Sequence, residues 1–276
     1  MSITTILILI ALGVGSAIIG AIVGIGGGII IVPTLIFLGE HAILHGITPQ
    51  TAIGTSTVIL ISTGLSASIA YLKNKQADLK NAFIFMIGII PGAIVGAYFS
   101  QFLTIHSFNL YFGMFLIFMS IILMVRNRFK PIKLFQNEAY TKTFTDKEGK
   151  VYHYSIAPIP AVIATFFVGC LTGLFGIGGG ALMTPLMIIV FLMPPHIAVG
   201  TSMIMIFVSS LTGATSHIIQ GHVMWGYAVI LIIASIIGAN IGVKVNKNIK
   251  SDTVVLLLRL ILMALGVYLI IKSVMG

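Results

Sequence analysis

The sequence predicts an all-α polytopic membrane protein built from two inverted repeats, each carrying a broken or re-entrant glycine-motif segment. Three observations predict it. Charge-free stretches run too long for a soluble domain. Three motifs recur in the same order in both halves. The basic loops change position between the halves.

The first observation is compositional. Of 276 residues, 58% are hydrophobic and 8% are charged, against about a quarter in soluble domains. Residues 1–39, 81–125 and 151–243 contain no Asp, Glu, Lys or Arg. Each stretch exceeds the roughly 20 apolar residues that span a bilayer. A soluble core of this size would leave charged faces at helical spacing, and none appears. The net charge of +9 raises nucleic acid as a partner. The Lys and Arg residues argue against it, because most lie in the loops and linker between apolar spans. That is the positive-inside pattern, not a basic groove. A single cysteine, Cys170, excludes an internal disulfide and a cysteine-based zinc site. The opening residues, MSITTILILIALG, lack a basic leader and an Ala-x-Ala cleavage site, so they read as a retained span.

In order along the chain, eight hydropathy segments fall at 3–39, 50–72, 82–102, 108–125, 157–194, 198–219, 226–244 and 254–274. The first membrane repeat is 1–125 and the second is 157–276. Between them, 126–156 is the one long polar stretch. It holds Arg126, Arg128, Lys130, Lys133, Lys142, Lys147 and Lys150, which assigns it to the cytoplasm as a linker. Residues 142–154 alternate around a Gly turn, so the linker is either a small β-hairpin or a plain tether.

The repeat is explicit. Gly24-Ile25-Gly26-Gly27-Gly28 recurs as Gly176-Ile177-Gly178-Gly179-Gly180, and Pro33 recurs as Pro185, at an offset of 152. Ala52-x-Gly54-Thr55-Ser56 recurs as Ala198-x-Gly200-Thr201-Ser202, at an offset of 146. Gly92-Ala93-x-x-Gly96 recurs as Gly238-Ala239-x-x-Gly242 at the same offset. Charges orient the halves. Lys73, Lys75 and Lys80 follow the second span of the first half, where the second half has only Gln220-Gly221-His222. Lys244, Lys247 and Lys250 follow the third span of the second half, where 100–109 of the first half has no Lys or Arg. Opposite asymmetry marks inverted repeats. Inversion needs one segment that returns to its own side. Each glycine segment is nearly two spans long with its glycines near the middle, so it dips in and returns. That gives up to ten crossings, with both termini outside the cytoplasm.

The glycine breaks also carry the chemistry. Four glycines in five residues disfavour a helix by roughly 1 kcal/mol each. Freed backbone within hydrocarbon must face protein or a water-filled cavity. An unwound turn followed by a helix start presents N–H groups and the positive end of a dipole, which binds anions without a basic side chain. Gly26, Gly27, Gly28, Gly178, Gly179 and Gly180 are therefore the first candidates for substrate binding. Thr55, Ser56, Thr201 and Ser202 add hydroxyl donors, with helix capping as the plainer reading. Gly92–Gly96 and Gly238–Gly242 read as close helix packing. His217 is the candidate for proton or substrate contact within a span. Cys170 reads as packing, with a reactive role only toward a sulfur cargo. The histidines are not spaced as a metal site, and no cofactor is implied.

A membrane enzyme needs an acid–base pair, an activated nucleophile or metal ligands, and the spans supply none. A structural protein has no use for a symmetric pair of breaks. A transporter uses both, joined at one site near the midplane. The donors are N–H and O–H groups, so the site suits a small anion. A carboxylate or amino-acid carrier and an anion channel share that chemistry. Gly-x-Gly-Gly-Gly, Pro five residues on, then Ala-x-Gly-Thr-Ser, all occurring twice, resembles the sulfite exporter TauE/SafE family, also described as the toluene sulfonate uptake permease family. The resemblance covers residues 5–272 and implies a cell-membrane transporter of sulfite, sulfonates or related anions. Met224-Trp225 departs from the acidic-Trp pair often found there, and Asp78-Leu79 holds the equivalent place in the first half. Inside-negative potential favours anion export, by about 2.3 kcal/mol per charge per 100 mV. The glycine faces permit a homodimer without requiring one.

Overall fold

Apolar segments in hydrocarbon have no solvent to satisfy their backbone, so they close into helices. The computed structural model describes residues 2–125, 140–145, 149 and 151–275. The first half comprises α1 (Ile3–Val23), α2 (Gly28–Glu40), α3 (Pro49–Lys73), α4 (Leu79–Phe99) with a 3-10 turn at Ser100–Phe102, and α5 (Ile105–Val125). The hairpin β1 (Thr141–Thr145) and β2 (Val151–Ser155) follows. The second half comprises α6 (Pro158–Phe175), α7 (Gly180–Ile189), α8 (Pro195–Ile219), α9 (Trp225–Asn246) and α10 (Ser251–Met275). Thr48 opens α3 in a capping box with Thr51, with Pro49 just inside. Asp78 caps α4 by accepting the Asn81 N–H.

Each glycine segment is therefore two helices, and the eight hydropathy segments resolve into ten. Among the described residues, α1, α3, α4, α6, α8, α9 and α10 are long and apolar enough to cross a membrane. The second members of the broken pairs are not. Helix α2 has 13 residues and α7 has 10, or about 20 Å and 15 Å at 1.5 Å per residue. Both fall short of a hydrocarbon core of about 30 Å. Pro33 and Pro185 lie inside them.

The halves interleave. Helix α1 lies parallel to α9, with Gly238 against the Val14 carbonyl and Gly242 against the Ile18 carbonyl. Helix α6 repeats this with α4, where Gly92 meets the Phe166 carbonyl and Gly96 the Cys170 carbonyl. The small-residue motifs are thus helix contacts, and Cys170 belongs to one of them. Equivalent helices pair in opposite senses. Gly54 near the start of α3 meets His222, Gly64 meets Phe207, and Gly200 near the start of α8 meets Gln76. Helices α5 and α10 also run antiparallel: the Ser120 hydroxyl donates to the Arg259 carbonyl at 2.9 Å, and Ser273 reaches His106. Helices α3 and α8 form the centre, with 72% and 78% of their apolar windows buried, against 33–44% for the other spans.

The hairpin alternative of the linker is the one that forms. Its strands pair antiparallel, with Thr143 opposite His153 and Phe144 opposite Tyr152. It docks on the α3–α4 loop. The buried Tyr154 hydroxyl donates to Asp78 Oδ2 at 2.6 Å, and Asn81 Nδ2 donates to the same oxygen at 2.6 Å. Burial, then the Asp78 carboxylate, holds the Tyr154 phenol well above its usual pKa. Arg126, Arg128, Lys130, Lys133, Lys147 and Lys150 lie outside the described residues.

Candidate functional site

The breaks are built by backbone angles that glycine tolerates. Helix α1 ends at Gly24 (φ 81°), and Gly26 (φ 76°) and Gly27 (φ 91°) follow. Helix α6 ends at Gly176 (φ 68°), followed by Gly178 (φ 68°) and Gly179 (φ 71°). A side chain at such angles costs roughly 1–2 kcal/mol per residue. In the first break the N–H groups of Gly24, Ile25 and Gly26 all turn onto the Gly20 carbonyl, at 2.9, 2.9 and 3.3 Å. The chain then folds back, setting Gly27 against Ser16.

The two breaks meet. A Cβ on Gly28 would lie 3.0 Å from the Gly176 carbonyl oxygen, and one on Gly180 would lie 2.5 Å from the Gly24 carbonyl oxygen. The C-terminal ends of α1 and α6 thus face the N-terminal ends of α7 and α2. Hydroxyls take up the cap carbonyls. Thr184 donates to Gly24 at 2.7 Å, and Ser202 shares its one proton between Gly24 at 2.9 Å and the Val199 carbonyl of its own helix at 2.7 Å. Ser56 donates to Gly176 at 3.1 Å, and Ser209 shares its proton between Gly178 and the Ile206 carbonyl of its own helix, each at 3.2 Å. In the first turns, Ile30 and Ile31 bond the Gly27 carbonyl, Leu182 and Met183 the Gly179 carbonyl and Gly180 the Gly178 carbonyl. The N–H groups of Gly28 and Ile29 stay outside the ladder, and both positive dipole ends point at this junction. The junction is therefore rich in donors. Leu60 and Ile206, at equivalent positions, fill the space between the breaks. A Cβ on Gly26 would lie 3.0 Å from Leu60 Cδ2 and 2.9 Å from Ile206 Cδ1.

The structure brings together Gly26, Gly27, Gly28, Gly178, Gly179, Gly180, Ser56 and Ser202. The two serines donate to cap carbonyls, which leaves their oxygens as acceptors toward the interior. Thr55 and Thr201 are placed elsewhere. Thr55 Oγ1 accepts the Met224 N–H at 3.0 Å, and Thr201 Oγ1 accepts the Asp78 N–H at 2.9 Å. Each ties its helix to the loop beyond its antiparallel partner. The physical reason is register: α3 and α8 start at Pro49 and Pro195, so both triplets sit in the second turn rather than at a helix opening. His217 is fully buried, and both its ring nitrogens lack a hydrogen-bond partner. Its ring lies 6.1 Å from that of His222 and two turns beyond Ser210 on α8. Thr184 escaped the repeat argument because Val32 stands at its equivalent position. Leu60 and Ile206 share the 146-residue offset, but two apolar residues in apolar spans carry no signal.

Long apolar helices packed around two opposed half-helix ends define a multi-pass membrane transporter. The family model for the sulfite exporter TauE/SafE matches residues 7–269, and the chain belongs to that family. It is 42% identical, over 97% of its length, to 98% of the Bacillus subtilis protein named "Probable membrane transporter protein YunE". A similarly named Methanocaldococcus jannaschii protein is 27% identical over 96% of this chain and 95% of its own. "Sulfite exporter TauE/SafE family protein 6" of Arabidopsis thaliana is 24% identical over 42% of this chain and 28% of its own. No solved structure gives a significant match.

Proposed function

We propose that the chain is a secondary transporter that exports small sulfur-containing anions, such as sulfite or organosulfonates, by alternating access between two inverted repeats. One observation carries this reading. The two breaks aim the N-terminal ends of α2 and α7 at one buried junction whose cap carbonyls already accept hydroxyl donors. The donors left over suit an anion, and no Asp or Glu lies within the middle of any span to suit a cation. Antiparallel α3 and α8, together with the reversed basic loops, support inversion, with the linker cytoplasmic and both termini outside. The family name supports the sulfur oxyanion class.

In this mechanism one repeat's helices rock against the other's. The anion exchanges water for the backbone N–H groups of Gly27, Gly28, Gly178 and Gly179, beside Ser56 and Ser202; the N–H groups of Gly26 and Gly180 are spent on the Gly20 and Gly178 carbonyls. Thr55 and Thr201 hold the ends of α3 and α8 as the pair moves. His217 serves as a proton or substrate contact. Leu60 and Ile206 close the space between the breaks, which favours a carrier over an open channel.

Flux into proteoliposomes with sulfite, thiosulfate, a sulfonate and a carboxylate tests the cargo. Saturable sulfite or sulfonate flux is expected. Carboxylate flux alone transfers the site to a carboxylate or amino-acid carrier, and unsaturable conductance makes it a channel. Gly179→Leu is expected to abolish flux, and unchanged flux in that variant sinks the cradle. In a Cys170→Ser background, a cysteine at position 2 that reacts only from the cytoplasmic side sinks the inverted topology.

A further inference from the structure

The two breaks are equivalent in sequence, but their surroundings are not. In the first, the backbone of Gly26 and Gly27 occupies the space that a Cβ on Gly20 would need. In the second, the position equivalent to Gly20 is Thr172. A Cβ on Gly179 would lie 3.1 Å from Thr172 Oγ1, so the hydroxyl points at the face of that glycine. Position 64, in α3, is a glycine packed on the Phe207 backbone. Its equivalent in α8 is Ser210, whose Oγ would lie 3.2 Å from a Cβ on Gly178. Thr172 is 2% exposed and Ser210 is 0% exposed. Neither hydroxyl has a hydrogen-bond partner.

Buried hydroxyls almost always find a partner, and those that do not call for an explanation. Both residues could have bonded a carbonyl of their own helix, as Ser209 and Thr212 do nearby. Instead two unspent donors, on different helices, converge on the loop that leads into the N-terminus of α7. The first break offers nothing comparable, because Gly20 and Gly64 have no side chains and let the backbones close together.

We infer that the second break is the oxyanion subsite: Thr172 and Ser210 donate from the side chains while the N–H groups of Gly178 and Gly179 donate from the backbone, that of Gly180 being spent on the Gly178 carbonyl. This rests on the reading of the junction as an anion site, and it makes that site one-sided. Three donor directions, from α6, from α8 and from the turn, match a head group with three oxygens, such as sulfite or a sulfonate. A planar carboxylate has acceptor sites enough for three donors, but its two oxygens lie in one plane and cannot set a separate oxygen on each of the three directions. The first break then acts as the closing wall rather than as a second copy of the site.

The test measures KM and Vmax for sulfite and for a sulfonate in proteoliposomes. Thr172→Val and Ser210→Ala change little volume and each remove one donor to a charged ligand. Each is expected to raise KM about tenfold or more, with Vmax altered less than twofold. Thr172→Ser keeps a hydroxyl and is expected to restore the native KM. Thr63→Val, at the position equivalent to Ser209 and bonded within its own helix, is expected to leave KM unchanged. If Thr172→Val and Ser210→Ala keep the native KM while Gly179→Leu abolishes flux, the cradle stands and the subsite falls. If Thr172→Ser raises KM as far as Thr172→Val, the hydroxyl is not the ligand and the inference is overturned. A wild-type chain that moves carboxylate but neither sulfite nor sulfonate also overturns it.

Discussion

The Gly24 cap carbonyl accepts two hydroxyls, from Ser202 at 2.9 Å and Thr184 at 2.7 Å. Its counterpart at Gly176 accepts the Ser56 hydroxyl at 3.1 Å. Ser202→Ala removes one of two donors, so the carbonyl stays satisfied and the loss is about 1 kcal/mol. Thr184→Val, nearly isosteric, costs about the same. Together they leave a buried carbonyl without its hydroxyl donors, which adds a desolvation penalty of about 1–3 kcal/mol. The double variant should therefore lose about 3–5 kcal/mol, against about 2 from simple addition. Ser56→Ala should cost about 2–4 kcal/mol by itself, because that carbonyl has no second hydroxyl. Equilibrium unfolding of the purified protein in mixed micelles reads all four. A double variant equal to the sum of its singles within about 0.3 kcal/mol refutes shared donation. So does a Ser56→Ala loss no larger than that of Ser202→Ala.

Two further predictions concern closure and the linker. Leu60→Ala with Ile206→Ala should open the space between the breaks and let anions leak from loaded liposomes, at a stability cost of about 2–5 kcal/mol per site; a double variant that stays tight and turns over normally removes these side chains from the barrier. Tyr154→Phe should release the hairpin, at about 1.5–3 kcal/mol for a bond to a charged group, seen as faster proteolysis around residues 140–155. The pH dependence runs in one direction. Because the docked phenol is held above the ordinary tyrosine value of about 10, docking should be constant below that pH and weaken as pH rises above it. Proteolysis that is flat from pH 7 to 11 would contradict the Tyr154–Asp78 contact.

The breaks were legible because glycine at high density conflicts with its surroundings: a segment like 3–39 that must be helical still cannot remain one helix through Gly24–Gly28. The packing motifs were legible for a similar reason, since Gly238 and Gly242 make room for the α1 backbone. Partner choice was not legible. That α1 pairs with α9 and α6 with α4 depends on complementary surfaces far apart in sequence, and no periodicity records it. Thr55 and Thr201 illustrate a subtler gap. Pattern located both hydroxyls, but their roles follow from which loop the antiparallel partner presents. Thr172 and Ser210 were invisible to repeat matching because they matter where the halves differ.

Interleaving has a consequence for how the chain is made. Helix α1 leaves the ribosome more than two hundred residues before the α9 surface on which Gly238 meets Val14. At about 5–20 residues per second, that is roughly 10–40 s. During that interval α1 sits in lipid with Gly13 uncovered, because its neighbours Leu231 and Ala234 belong to α9, and the first break has no second break to close against. The first half therefore cannot mature when its own synthesis ends; both halves consolidate together, late, once α9 and α10 arrive. Two separately synthesised fragments, 1–139 and 140–276, carry every helix needed for that late step. Co-expressed, they should find each other in the bilayer and regain flux that neither has alone.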